Sequence, residues 1–84
     1  MTAKARICLA VNTEDRAEQL RRLLPNIAVV SVGAYLHGYT YNLIVIADDP
    51  PESKALALHR DAWINNALRC RLTRGGKIVQ AVAA

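Results

Sequence analysis

The 84 residues suit a single domain spanning residues 1–84 and leave no room for two. Hydrophobic residues make up 52% of the chain, which excludes a disordered composition, and the absence of Phe makes the expected core aliphatic. Two cysteines, Cys8 and Cys70, are too few for a disulfide-stapled secreted scaffold and indicate reduced thiols. With no signal peptide and no run of about 20 apolar residues, we expect a cytoplasmic protein without a membrane span.

The charge is distributed unevenly along the chain. Residues 1–52 carry five Lys/Arg and six Asp/Glu, for a net −1, whereas residues 53–84 carry six Lys/Arg and one Asp, for a net +5. The basic last third favours an anionic partner, although a moderate net charge also keeps a small protein soluble.

The first predicted elements are a strand and an amphipathic helix. An apolar run over residues 5–11 has the length of a buried strand. Asn12 and Thr13 are residue types that cap helices, and the two acidic residues that follow suit a first helical turn. Apolar residues then recur at helical spacing until Pro25 stops the pattern, which predicts a helix over residues 13–24.

Two further apolar runs, residues 27–32 and 42–47, predict the second and third strands. Strands that are apolar throughout are buried on both faces, which indicates a parallel sheet covered by helices. The connector between them is short for a parallel crossover. We expect one helical turn in it, over residues 34–37, ended by Gly38.

Residues 53–72 have a helical composition, but one continuous helix places Arg60 and Arg71 on its apolar face. Two helical pieces, with Asp61 near the start of the second, avoid part of this conflict, and the predicted helical span is residues 53–72. Residues 73–76 then predict a turn.

A last strand over residues 77–82 completes the pattern, and it is expected at a sheet edge. The predicted fold class is therefore α/β, with a small, mostly parallel sheet of three or four strands flanked by two or three helices in a minimal Rossmann-like arrangement.

Asp48 and Asp49 follow the third strand, where ligands of open α/β sheets bind. Paired carboxylates there can hold Mg²⁺, but phosphoryl transfer also needs a phosphate-binding loop, and its sequence pattern is absent. The alternative is that the two residues only end the strand. Because His37 and His59 also lack ligands at metal spacing, we expect no catalytic residue, metal, cofactor or enzymatic activity.

Two groups of residues are candidates for binding. Tyrosines on a loop can anchor a protein partner or stack on bases, although they can equally cover the end of the sheet; these are Tyr35, Tyr39 and Tyr41. Basic side chains near the C-terminus can contact phosphates, or can instead stabilise helix carbonyls; these are Arg60, Arg69, Arg71, Arg74 and Lys77.

One family resemblance covers most of the chain. The stretch from Arg6 to Leu20, the run over residues 27–32 and the stretch from Leu36 to Asp49 together resemble part of a helicase- or terminase-type nucleotidase core. In that family an apolar strand ends in acidic residues that hold magnesium. By this resemblance, Asp48 and Asp49 occupy the positions of those acidic residues. The tail from Trp63 to Gly76 resembles small phage proteins of this truncated kind. The family's phosphate-binding loop is missing here, so the resemblance implies a core without its activity.

The sequence therefore predicts a non-catalytic binding module, a small phage-type accessory protein that engages a protein partner. The first alternative is a nucleic-acid-binding protein that uses the basic last third, and the second is a nucleotide-binding or nucleotide-hydrolysing protein. Because a four-stranded sheet has open edges, homo-oligomers through an edge strand are also expected.

Overall fold

The computed structural model describes residues 6–36 and 39–81, and it confirms the α/β class. Four strands form one sheet in the order β2-β1-β3-β4, and all neighbouring pairs are parallel. The strands are β1 (Ile7–Val11), β2 (Ala28–Ser31), β3 (Tyr41–Ile46) and β4 (Leu72–Gln80), and the α-helices are α1 (Glu14–Leu23) and α2 (Lys54–Trp63). No helix within the described residues is long and apolar enough to cross a membrane.

Strand β1 lies between β2 and β3 at the centre of the sheet, and both faces of the sheet are buried there. Cys8 pairs with Ala28 on one side and with Ile44 on the other. Alternate residues of β1 point to opposite faces, so Cys8 and Ala10 pack under α2, whereas Val11 packs under α1. This is the two-sided burial that the apolar strands predict.

Helix α1 begins where the sequence predicts it to begin. The Thr13 hydroxyl oxygen accepts a hydrogen bond from the Arg16 backbone N–H, which caps the helix. The buried side chain of Ala17 lies against Val11 and Val29, and this contact fixes the helix over β1 and β2.

The crossover from β2 to β3 is irregular over the residues that the structure describes. Residues 34–36 are not helical, so the helical turn expected there is wrong for these residues; residues 37 and 38 lie outside the described part. The indole N–H of Trp63 donates to the Ala34 carbonyl at 3.2 Å, and this bond holds the connector under α2. An extended chain of nine residues spans up to about 30 Å, which suffices to cross β1 without a helix.

The segment that follows β3 is one continuous helical rod, which confirms the helical span predicted over residues 53–72, whereas the alternative of two separate pieces is wrong. Helix α2 continues directly into a π-helical turn, Ile64–Leu68, and a 3₁₀ turn, Arg69–Arg71. The Arg69 N–H donates to the Ile64 carbonyl, five residues back. This wider turn shifts the helical phase, so that Trp63, Ile64 and Leu68 all face the core.

Strand β4 begins at Leu72, five residues earlier than the sequence predicts, so the turn expected over residues 73–76 is wrong. Tyr41 pairs with Leu72 and Leu43 pairs with Lys77. Four residues of β4 therefore lie opposite one residue of β3, and the excess forms a bulge.

Two glycines make this bulge. Gly75 has φ +82°, which suits a residue without a Cβ. A Cβ on Gly76 would lie 3.1 Å from the carbonyl oxygen of Tyr41 and 3.0 Å from that of Thr73. The glycine pair thus lets β4 rejoin the sheet.

Candidate functional site at the carboxyl edge of the sheet

The carboxyl ends of β1 and β3 form a crevice between neighbouring strands. The chain leaves β1 toward β2 on one side, and it leaves β3 toward β4 on the opposite side. The chain therefore continues from the two strands in opposite directions, with α1 on one face and α2 on the other. Open α/β sheets bind ligands at such switch points.

The Asp48 carboxylate is engaged on both of its oxygens. Its Oδ2 accepts the Asn12 backbone N–H at 2.9 Å, and its Oδ1 pairs with the Arg16 Nε–H. Asp49 is exposed and its carbonyl accepts the Asn12 side-chain amide at 2.8 Å. The two aspartates therefore tie β3 to the loop after β1. In the described part of the chain, no three His, Cys, Asp or Glu side chains lie together as a metal site would require.

Arg60 is the buried cation of this edge. Its residue surface is only 4% exposed, although it lies on an otherwise amphipathic helix. Nη1 donates to the Asn12 Oδ1 at 3.0 Å and to the Asp48 carbonyl at 2.8 Å, so the guanidinium bridges the loops after β1 and β3. Its Nε–H is buried and has no acceptor among the residues that the structure describes. These contacts explain why an arginine occupies the apolar side of α2.

A cavity of about 370 Å³ opens beside Arg60. Its wall is partly polar and partly apolar, formed by Asn12, Thr13, His59 and Arg60 and by Val32, Pro51 and Leu56. Except for Arg60 and His59, these residues were not considered as ligand contacts in the sequence. Asn12 offered a signal, because it follows a buried strand at the same edge as Asp48.

The three tyrosines that the sequence singles out lie around a second cavity of about 330 Å³. Tyr35 and Tyr39 are exposed, whereas Tyr41 is buried at the start of β3. Burial raises the pKa of the Tyr41 hydroxyl, and nearby Cys8 and Tyr39 add to this effect. The structure thus brings the tyrosines together at the amino end of β3.

The basic candidates are divided between the two ends of the sheet. Arg60 lies at the carboxyl edge, whereas Arg69 and Arg71 end the helical rod just before β4. Arg69 follows Arg60 by nine positions, which is about 13 Å along the rod. Arg74 and Lys77 are exposed on β4. The structure thus separates Arg60 from the other four candidates.

Comparisons with known proteins give no relative for this arrangement. No protein-family model matches the chain, and no curated protein or solved structure matches it.

Proposed function

We propose that the protein is a non-catalytic binding module that takes a small ligand in the carboxyl-edge cavity. The observation that carries the proposal is the coincidence of this cavity with the switch point between β1 and β3. Polar groups from the loop after β1 and from α2 line it together with the apolar side chains of Val32, Pro51 and Leu56, which is the composition typical of small-molecule sites.

The hydrogen bonds at the cavity favour binding over catalysis. Asp48 is engaged by Asn12 and Arg16, so its carboxylate is not poised to accept a proton from a substrate. Arg60 and Asn12 hold each other in fixed positions. Such preorganised groups supply recognition. The hydroxyl–carboxylate hydrogen bond from Ser31 to Glu14 lies outside the cavity lining, so it places no nucleophile–base pair there.

A fragment screen by two-dimensional amide NMR tests this proposal. Ligands that bind should shift the amide signals of Asn12, Thr13 and Val32, which lie around the cavity. Leu56→Glu places a charge at the cavity wall and should abolish these shifts. Leu58→Glu is the matched control, because Leu58 is also an exposed leucine on α2 but does not line the cavity. Fragment shifts that are confined to other surfaces would contradict the proposal.

A second candidate function is recognition of a macromolecular partner by the tyrosines. The supporting observation is that Tyr35, Tyr39 and Tyr41 line one cavity, and that Tyr35 itself is 86% exposed. A protein partner anchored on these rings should be lost with Tyr39→Ala and should respond little to moderate salt.

Nucleic acid is the alternative partner, and for it we expect binding that depends strongly on salt concentration. Replacing Arg69, Arg71 and Arg74 together by Ala should remove most of the binding, and each lost phosphate contact should lower the salt slope by about one unit on duplex DNA. One partner panel measured with both variant sets at two salt concentrations distinguishes the two. If neither set changes any binding, both versions of this second function are wrong.

A further inference from the structure

The charge of Arg60 is buried without a carboxylate partner among the described residues. Its two hydrogen-bond acceptors, the Asn12 amide oxygen and the Asp48 carbonyl, are both neutral. The Asp48 carboxylate, the acidic group at this edge that is partly buried, already forms an ion pair with Arg16. Burying a cation is costly unless an anion accompanies it. One positive charge at the cavity is therefore left uncompensated.

The Arg60 Nε–H adds a second, independent indication. It is the buried side-chain donor that lacks an acceptor within the described part of the chain. Buried donors are almost always hydrogen-bonded, so an unmatched one on a side chain that lines a cavity points to an acceptor that a ligand would supply. The guanidinium group presents its donors in a planar fork that fits the paired oxygens of a carboxylate or a phosphate.

The remaining walls define the rest of the ligand. Val32, Pro51 and Leu56 form an apolar side, and the volume of about 370 Å³ lies within the range of sites for small organic molecules. A bare inorganic ion would leave this side unfilled. The cavity therefore has room for an apolar body attached to the charged group.

We infer that the cavity binds a small organic anion, with a phosphate or carboxylate group on Arg60 and an apolar or ring-shaped body against Val32 and Leu56. This inference rests on the proposed function and names its ligand class. Because the Nε–H is buried in the structure, binding through it requires the atoms that cover the Arg60 side chain to shift.

The Nε–H signal of Arg60 in a proton–nitrogen NMR spectrum gives a direct test on the unmodified chain. Three probes share a ring and differ in their head group: phenyl phosphate, benzoate and benzyl alcohol. We expect one or both anions to move the Arg60 signal to saturation and the alcohol, at equal concentration, to leave it in place. The relative affinities of the two anions identify the preferred head group. Inorganic phosphate should bind more weakly than phenyl phosphate, because it leaves the apolar wall uncovered.

Arg60→Lys is the variant for this test, because it keeps the charge but loses the planar fork. It should weaken binding of the preferred anion at least about tenfold, the effect of one charge-assisted hydrogen bond. Arg69→Lys, an exposed arginine at the far end of the same helical rod, should leave the affinity unchanged.

Each other outcome overturns the inference in a distinguishable way. If anions move the signals of exposed Arg69 and Arg74 but not that of Arg60, they bind to the surface and the inference fails. If benzyl alcohol shifts cavity amides and the anions bind no better than it does, the anion assignment fails while the proposed small-ligand site stands. If no probe or fragment perturbs the cavity, both proposals fail.

Discussion

Arg21 donates two hydrogen bonds, from Nε and Nη2, to the carbonyl oxygen of Val29 at 3.1 and 2.9 Å. The Val32 N–H, three residues later, donates to Val11 of β1. Since backbone groups alternate in direction along a strand, the Val29 carbonyl points away from the sheet. Arg21 therefore occupies the outer edge of β2, where a further strand would otherwise pair.

This leaves β4 as the edge at which self-association is expected. Its Ala81 N–H donates to Ile46 of β3, so the backbone groups of Gln80 point outward. Val79 is 41% exposed and adds an apolar contact. We expect a concentration-dependent dimer in sedimentation velocity, reduced by Val79→Lys, because charges on an edge discourage pairing. Leu23→Lys, at an exposed leucine of α1, is the control; a strict monomer at all concentrations contradicts the prediction.

The two thiols should react at very different rates in the native protein. Burial raises the pKa of Cys8 to about 11, so almost none of it is thiolate at pH 8, whereas Cys70 is exposed. With a disulfide reagent at pH 8, one thiol should react rapidly and the second only in denaturant. Cys70→Ser should remove the fast phase. A fast phase that persists in this variant would show that Cys8 is accessible.

Acid should destabilise the protein partly through Glu14. Hydrogen bonds from Arg21, and then from Ser31, lower the pKa of Glu14 below its ordinary value of 4.5. A carboxyl whose pKa is lowered by folding stabilises the protein above the unfolded value, and this contribution disappears as the pH falls through the folded value. Glu14→Gln should therefore lose less stability than the wild-type chain between pH 7 and pH 3 in urea denaturation. Equal losses would indicate that the Glu14 contacts contribute nothing.

Leu68 should be a main contributor to the core under the helical rod. It is fully buried, so Leu68→Ala should lower the free energy of unfolding by about 2–5 kcal/mol. Leu58→Ala, at a leucine that is 69% exposed, should change it by less than about 0.5 kcal/mol. Chemical denaturation of both variants measures the difference, and similar values would place Leu68 outside the cooperative core.

Local sequence signals were sufficient where neighbouring residues decide the structure. The cap at Thr13, the stop at Pro25 and the apolar runs located the first three strands and α1 to within two residues. They failed at Gly75-Gly76, because a dipeptide that favours a turn in the isolated sequence makes a bulge inside β4 when β3 lies alongside.

The candidate site could be predicted only in part. Asp48 and Arg60 stood out as charged residues at a strand end and on an apolar helix face. The contacts that join the site could not be predicted, because the Arg60–Asn12 hydrogen bond links residues that are 48 positions apart. The π turn shifts the helical phase, and a helical wheel drawn for a regular α-helix does not include this shift. The sequence therefore did not show how one rod could bury both Arg60 and Leu68.

The bridge that Arg60 makes between two loops also bears on how this edge opens. One guanidinium nitrogen holds both the Asn12 side chain and the Asp48 backbone. Neither loop can leave its position without breaking a bond that also restrains the other, so the two should exchange their amide hydrogens as one cooperative unit. A ligand that holds Arg60 would then slow hydrogen exchange in both loops at once, and occupancy of the cavity would be visible across the whole edge.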